Sequence, residues 1–220
     1  MIDILIPSRG RPERLRQTIL SAMQKASGNS MIKFYVYLDH DDTNTIQNLH
    51  LFHYDYRITW VIGQPHILSN YWNVLYKIGS GEILFHGADD IIFETKGWDE
   101  LVINHFKEHL ESLYYGFDGH QNQNCPTHSF TSRSAADKVG YFLPPYFEAD
   151  FNDVWLKEVY TKAGRIYYNS ELAIRHLHRN VDMKYDDETY RIAEERRKRA
   201  ATVWEEKKHE IDEDVKKLIQ

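Results

Sequence analysis

Apolar and polar residues alternate along the first half of the chain in blocks of two periods. The opening "IDILIPSRG" reads as a buried strand from Ile2 to Ile6, stopped by Pro7 and opened into a loop by Gly10. Pro12 starts a helix that carries Leu15, Ile19, Ala22 and Ala26 on one face and ends near Gly28. "KFYVYLD" is a second strand with Asp39 at its carboxyl end, and "ITWVIG" a third, closed by Gly63. Helical spacing returns from Leu68 to Ile78, "EILFHG" is a fourth strand, and another helix is expected over Gly97 to Leu110. Strands alternating with helices predict an α/β sandwich with a mostly parallel central sheet. After Leu113 the pattern shifts to short strands, expected to be antiparallel, around the polar loop of "YYGFDGHQNQNCPTHSFTS". A helix over Asp150 to Ala163 and a strand near Arg165 to Tyr168 follow. From Glu188 on, one long charged helix is expected, with Ala193, Ala200, Trp204, Ile211, Val215 and Leu218 in a narrow stripe. Two segments result: a catalytic-type domain over residues 1–186 and a helical extension over 187–220. The stripe is suited to docking on that domain or on a second copy in a homodimer.

Composition narrows the class. At 220 residues with 42% apolar and 14% aromatic content, the chain can bury a real core. A net charge of −6 gives no wholesale attraction to nucleic acid or anionic membrane. Cys125 is the only cysteine, which excludes an internal disulfide and suits a reducing, cytoplasmic compartment; a plain thiol in a polar loop is favoured over a nucleophile. No run of about 18 apolar residues or signal peptide is found.

Candidate chemistry gathers at strand ends. In open α/β sheets ligands bind beyond the carboxyl edge. That edge receives Ser8 and Arg9 from the first strand, Asp39 to Asp42 from the second, and Asp89 with Asp90 from the fourth. A lone strand-end Asp is often only a turn or cap. Several converging acids repel one another unless a cation or donor-rich ligand holds them, which points to a hard divalent ion with nucleotide phosphates. "PSRGRP" has neither a dinucleotide fingerprint nor a phosphate-loop lysine. Glu148, Asp150 and Asp153 stand at the start of a helix, where they can cap it or, for Asp150 before Glu148, act as a general base. In "AIRHLHRN", strand alternation would put His176 and His178 on one face as candidate metal ligands, with Arg179 or Lys184 available to a pyrophosphate.

These pieces, in this order, resemble the family 2 type of nucleotide-sugar glycosyltransferases with the GT-A fold. The likeness rests on "ILIPSRGRPERLRQTI", "YLDHDDT", "ILSNYWNVLYKIGSGEILFHGADD", "EADFNDVWL" and the late histidines, and spans roughly residues 2 to 180. It implies a Rossmann-like α/β/α sandwich and transfer of a hexose from a nucleoside-diphosphate sugar, most commonly a UDP-sugar. Pro7, Ser8, Arg9, Asp39, Asn73 and Asp89 would then contact the nucleotide. Asp89, with His176 or His178, would hold Mn²⁺ or Mg²⁺, and Asp150 would deprotonate the acceptor hydroxyl of an inverting reaction. One departure stands out: the first acid of the family's D-x-D motif is Gly87 here. The acceptor is open between a glycan, a protein and a modified DNA base. Compact chains of this kind resemble bacteriophage glycosyltransferases, some of which modify DNA, and the basic block at residues 196–208 could meet phosphates. Two rival readings are a metal-dependent phosphodiester hydrolase or nuclease, and a nucleotide-binding module without turnover.

Overall fold

A computed structural model describes residues 1–52 and 55–220. Eight strands form one sheet: β1 (Ile2–Ser8), β2 (Ile32–Asp39), β3 (Ile58–Gly63), β4 (Ile83–His86), β5 (Ile91–Phe93), β6 (Leu113–Phe117), β7 (Ser129–Ser132) and β8 (Ile166–His176). Their spatial order is β3-β2-β1-β4-β7-β6-β8-β5. The block β3-β2-β1-β4 is parallel throughout; beyond it, β7 runs antiparallel to β4 and β6, and β5 antiparallel to β8. The parallel half is the part that alternates with helices in sequence. β6 and β7 are the short antiparallel pair expected after Leu113, whereas β8 joins β6 in parallel and β5 precedes the change of pattern.

Alternation along β1 explains the layers. Ile2, Ile4 and Ile6 face a core shared with Leu15, Ile19 and Ala22 of α1 (Pro12–Lys25) and with Trp98, Val102 and Phe106 of α4 (Trp98–Glu108). Leu5 faces the opposite core. There Trp72, Leu75 and Tyr76 of α3 (Leu68–Ile78) meet Trp155, Leu156 and Val159 of α6 (Asn152–Lys162). Helices on both faces of the sheet make the α/β/α sandwich. Two short helices had no periodic signature: α2 (Thr43–Gln47), capped by Asp42, and α5 (Arg133–Val139), capped by Ser132.

Three boundaries differ from expectation. Pro7 does not stop β1, which runs on to Ser8; a proline lacks a donor but is tolerated near a strand end. β8 is far longer than Arg165 to Tyr168 and closes at His176, so His178 lies in the loop beyond rather than on the strand. The C-terminal segment is not one continuous helix. α7 (Glu188–Lys207) and α8 (Ile211–Ile219) are separated by a single tight turn at Lys208–Glu210. That turn re-aims the apolar stripe: Ile211 and Leu218 of α8 are buried against α5 and α6, Ala200 of α7 is buried in the same core, and Trp204 and Val215 pack beside them. Asp214 of α8, buried, accepts from Trp155 Nε1 at 3.0 Å and from the Tyr141 hydroxyl. The helical extension therefore docks on its own chain. Among the described residues, no helix is long and apolar enough to cross a membrane.

Candidate functional site

The carboxyl edge of the parallel strands carries a dense polar network. Asp39, buried at the end of β2, accepts from Arg9 Nη1 at 2.8 Å and from the Tyr71 hydroxyl at 2.7 Å. Arg9 also clasps Asp41, at 2.5 and 3.0 Å. Beside Asp39 the His66 ring stands edge to face with Tyr37 and Tyr71, which are tilted against each other, with centroids 5.0–5.7 Å apart. Asp42 is the acid that serves as a cap: it receives the backbone N–H of Thr45 at 3.1 Å and of Gly10 at 2.9 Å.

Asp89 and Asp90 follow β4, both buried. Pairing of Ile91 with His176 brings the late histidine next to them, and Leu177 N–H bonds the carbonyl of Asp90 at 2.8 Å. The cation that holds the two acids is Arg11, whose side chain is 9% exposed. Its Nη1 reaches Asp89 at 3.0 Å and Asp90 at 3.1 Å, while Nε and Nη2 grip Asp187 at 2.8 and 2.6 Å. Ser8 Oγ donates to the other Asp89 oxygen at 2.8 Å, and Tyr190 of α7 donates to Asp90 at 2.8 Å. Burial pushes the Asp89 carboxyl up to about 6, against the pull of Arg11 and aided by the charge of Asp90. Burial would raise Asp90 as well, but His176 and Arg11 outweigh it and hold that carboxyl well below the usual range.

This arrangement does not fit a metal held by Asp89. Both of its oxygens already have partners, and an ion there would have to displace a buried guanidinium. His178 is committed too, with Nδ1 accepting from Asn180 N–H at 3.1 Å. Gly87 has a steric explanation. A Cβ at that position would stand 2.9 Å from the Leu5 carbonyl oxygen and 3.1 Å from Ile6 Cγ1, so the strand leaves no room for an acid. The Gly87 carbonyl receives Trp72 Nε1 at 2.9 Å, which fixes the turn against α3.

A second polar cluster lies on the far side of Asp90. Asp118 and His120, just after β6, face His176 at the end of β8; one ligand atom from each lies within 4.8 Å of the others. The ring of His120 stacks on His178 at 4.2 Å, and His128 stands edge-on to His176 at 4.7 Å. Burial, then neighbouring imidazoles, lower His86 to about 3 and His128 and His178 to about 4. These rings are neutral at neutral pH, the form that offers a lone pair.

Asn73 and Asp150 occupy different surroundings. The Asn73 amide accepts from the backbone N–H groups of Phe142 and Leu143, both at 3.0 Å, and donates to the Leu143 carbonyl at 2.8 Å. It brackets a turn in the core rather than facing the edge with Asp39. Asn73→Ala should therefore lower stability by about 2–3 kcal/mol in urea unfolding and leave affinity for any nucleotide within about threefold of the parent. Asp150, 39% exposed at its side chain, lies just ahead of α6 and pairs with Arg197 of α7 at 2.5 Å. Glu148 pairs with Arg199 at 2.7 Å. Asp150 and Phe151 both hold left-handed backbone, with φ of 47° and 61°, a conformation costly for residues with side chains. Stacking of Phe151 on Trp204, 5.5 Å between centroids, helps to hold the turn. Asp153 takes the Cys125 thiol at 3.4 Å, and burial pushes that thiol up, away from reactivity.

The structure thus gathers Ser8, Arg9, Asp39 and Asp89 along one edge and brings His176 to Asp90. Tyr190 and Arg197 are two helical turns apart on α7, so Asp90 and Asp150 are bridged along one helix face over roughly 10 Å. Arg11, Asp118, His120 and Tyr190 were not singled out by sequence. Arg11 lay within the quoted "PSRGRP" motif, and the repulsion of paired acids was the signal that a cation was needed.

No protein-family model matches the chain, and no curated protein matches it in sequence. Solved structures do. TarS residues 1–349 from S. aureus in complex with UDP-GlcNAc superposes with a TM-score of 0.63 at 13% identity, covering 79% of this chain and 57% of that one. The mannosyltransferase PcManGT from Pyrobaculum calidifontis, in complex with GDP-Man and Mn²⁺, gives 0.63 at 10% identity, covering 80% and 56%. A longer TarS structure gives 0.62 at 14% identity, covering 80% of this chain and 36% of its own. The chain thus spans between about a third and under two thirds of the length of these proteins. At these identities the likeness is one of fold: the chain shares the GT-A-type α/β architecture of these proteins.

Proposed function

We propose that the chain is a glycosyltransferase that draws a hexose from a nucleoside-diphosphate sugar, UDP-linked in the first instance, and passes it to an acceptor hydroxyl with inversion. The observation that carries the reading is the convergence of Ser8, Arg9, Asp39 and Asp89 at the carboxyl edge of β1, β2 and β4, in a fold shared with proteins solved with UDP-GlcNAc and GDP-Man. Pro7 to Arg9 and Asp39 take the nucleoside. The half-buried rings of His66 and Tyr71 supply faces for a base, and Asp39 supplies an acceptor for ribose or base N–H. Arg9, 46% exposed at its side chain and paired with Asp39 and Asp41, is a cation on this edge that can turn from Asp41 to a diphosphate.

In the transfer step Asp150 accepts the proton of the acceptor hydroxyl. The freed oxygen pair attacks the anomeric carbon as the bond from that carbon to the diphosphate oxygen breaks, and the nucleoside diphosphate leaves on the opposite face. Arg197 must release or share Asp150 when the acceptor arrives.

A thermal-shift panel of UDP-, GDP-, CMP- and dTDP-sugars, with and without Mn²⁺, tests the reading alongside release of free nucleoside diphosphate. The expected result is a rise in melting temperature with one nucleotide class, as binding to the folded state requires, and slow nucleotide release. No shift with any donor would overturn it. A shift without any release or transfer would instead favour the binding module.

A further inference from the structure

The cluster beyond Asp90 has features that the transfer step does not use. Asp118, 5% exposed, fixes one oxygen by accepting the backbone N–H groups of His120 at 2.8 Å and Asn122 at 2.7 Å. Its other oxygen, Oδ2, is buried with no hydrogen-bond partner among the described residues. His176, 8% exposed, turns Nε2 toward Asp90 Oδ1 at 3.5 Å and leaves Nδ1 buried and unpartnered. His120 Nδ1 is likewise without a partner. Three acceptor-capable atoms buried together without donors are costly, because each loses water and gains nothing in return. The backbone reinforces the arrangement, since His176 N–H bonds the Asp118 carbonyl at 2.8 Å.

We propose that Asp118, His120 and His176 form a divalent-metal centre, separate from Asp89, that prefers an ion of the zinc class to Mg²⁺. Two imidazoles and one carboxylate are the donor set of Zn²⁺, Co²⁺ and similar borderline ions, whereas Mg²⁺ and Ca²⁺ take oxygen. Ligand atoms spread within 4.8 Å need to contract only modestly to meet one ion at about 2.0–2.2 Å. Asp90 then acts on His176 as outer carboxylates commonly do, accepting from the far ring nitrogen and directing the near one inward. His128 adds a buried ring beside His176. Its Nδ1 bonds the His86 carbonyl at 3.2 Å, so its unpartnered Nε2 carries the lone pair. Three protein ligands leave a tetrahedral ion one position for a solvent or substrate oxygen. This centre stands on its own donors and does not depend on the transferase reading.

Calorimetric titration of tag-free, chelator-treated protein with Zn²⁺, Co²⁺, Mn²⁺ and Mg²⁺, no nucleotide present, tests the proposal. One equivalent of Zn²⁺ or Co²⁺ should bind, Mg²⁺ should bind at least tenfold more weakly, and bound Co²⁺ should show visible d–d bands. Asp118→Asn and His120→Asn should each weaken Zn²⁺ binding at least tenfold, and Asp89→Asn should not. His120 is only partly buried, so His120→Asn serves should Asp118→Asn fail to fold. No Zn²⁺ or Co²⁺ binding by the parent at millimolar ion would overturn the proposal. So would binding lost in Asp89→Asn and kept in His120→Asn.

Discussion

Exchanging Arg11 for methionine should destabilise the fold by about 3–5 kcal/mol, the cost of removing one partner from a buried set of charges. Arg11 is the shared counter-ion of Asp89, Asp90 and Asp187, and its side chain is 9% exposed. Methionine retains the apolar stem, so the loss is the charge and its hydrogen bonds rather than packing. Asp89 and Asp90 would be left as buried neighbours with only Ser8, Tyr190 and His176 to stabilise them. Asp187→Asn is the informative contrast. Asp187 is more exposed, at 28%, and also pairs with Arg14, so its loss should cost about 1 kcal/mol. Urea unfolding of the two single variants and the double variant gives the coupling. Arg11→Met costing less than about 1 kcal/mol would mean that the acids are not held as described.

Asp150→Asn should reduce turnover by about 10²–10⁴-fold, the range of a general base, while leaving donor-induced stabilisation unchanged. In activation terms that is about 3–5 kcal/mol. Stability should barely respond, because the carboxylate is 39% exposed and its pair with Arg197 is a surface pair worth about 1 kcal/mol at most. Arg197→Ala separates the two roles of the acid. It removes the same ion pair but keeps the carboxylate, so turnover should stay within about threefold. Equal losses in both variants would make Asp150 a structural partner of α7 instead of the base.

The parallel half of the sheet was legible because its local patterns and its tertiary roles agree. β1, β2 and β4 are apolar runs ended by polar residues, and α1, α3 and α4 carry stripes at helical spacing. β5 is three residues long, too short for a period, yet its register against β8 sets Asp90 beside His176. Asp118 and His120 lay in a stretch rich in Gly, Asn and Gln that reads as loop, and only the pairing of β6 with β8 reveals their neighbour. Gly87 was visible as a departure from the D-x-D pattern; that β1 lies too close for a side chain was not. Arg11 was hidden for a similar reason. A loop arginine before Pro12 looks solvated, and its burial depends on Asp187, distant in sequence. Asp39, Asp89 and Asp150 stood out because acids at element ends are conspicuous whatever surrounds them. Asn73 shows the opposite: a polar residue on a helix face can face a ligand or a buried turn, and its sequence neighbours do not distinguish the two.

α7 is fastened along its length by unlike forces. Its first turn is tied through Asp187 and Tyr190 to the buried charges at Arg11 and Asp90, and its later turns rest on Ala200 and Trp204 in apolar contact. Between those anchors, Arg197 and Arg199 reach Asp150 and Glu148 through exposed ion pairs. Of the contacts that join α7 to the acids ahead of α6, these are the ones open to screening, with a Debye length of about 8 Å at physiological ionic strength. Ionic strength is therefore a selective dial: it loosens the hold on the acid at the acceptor side while the two ends of the helix stay seated.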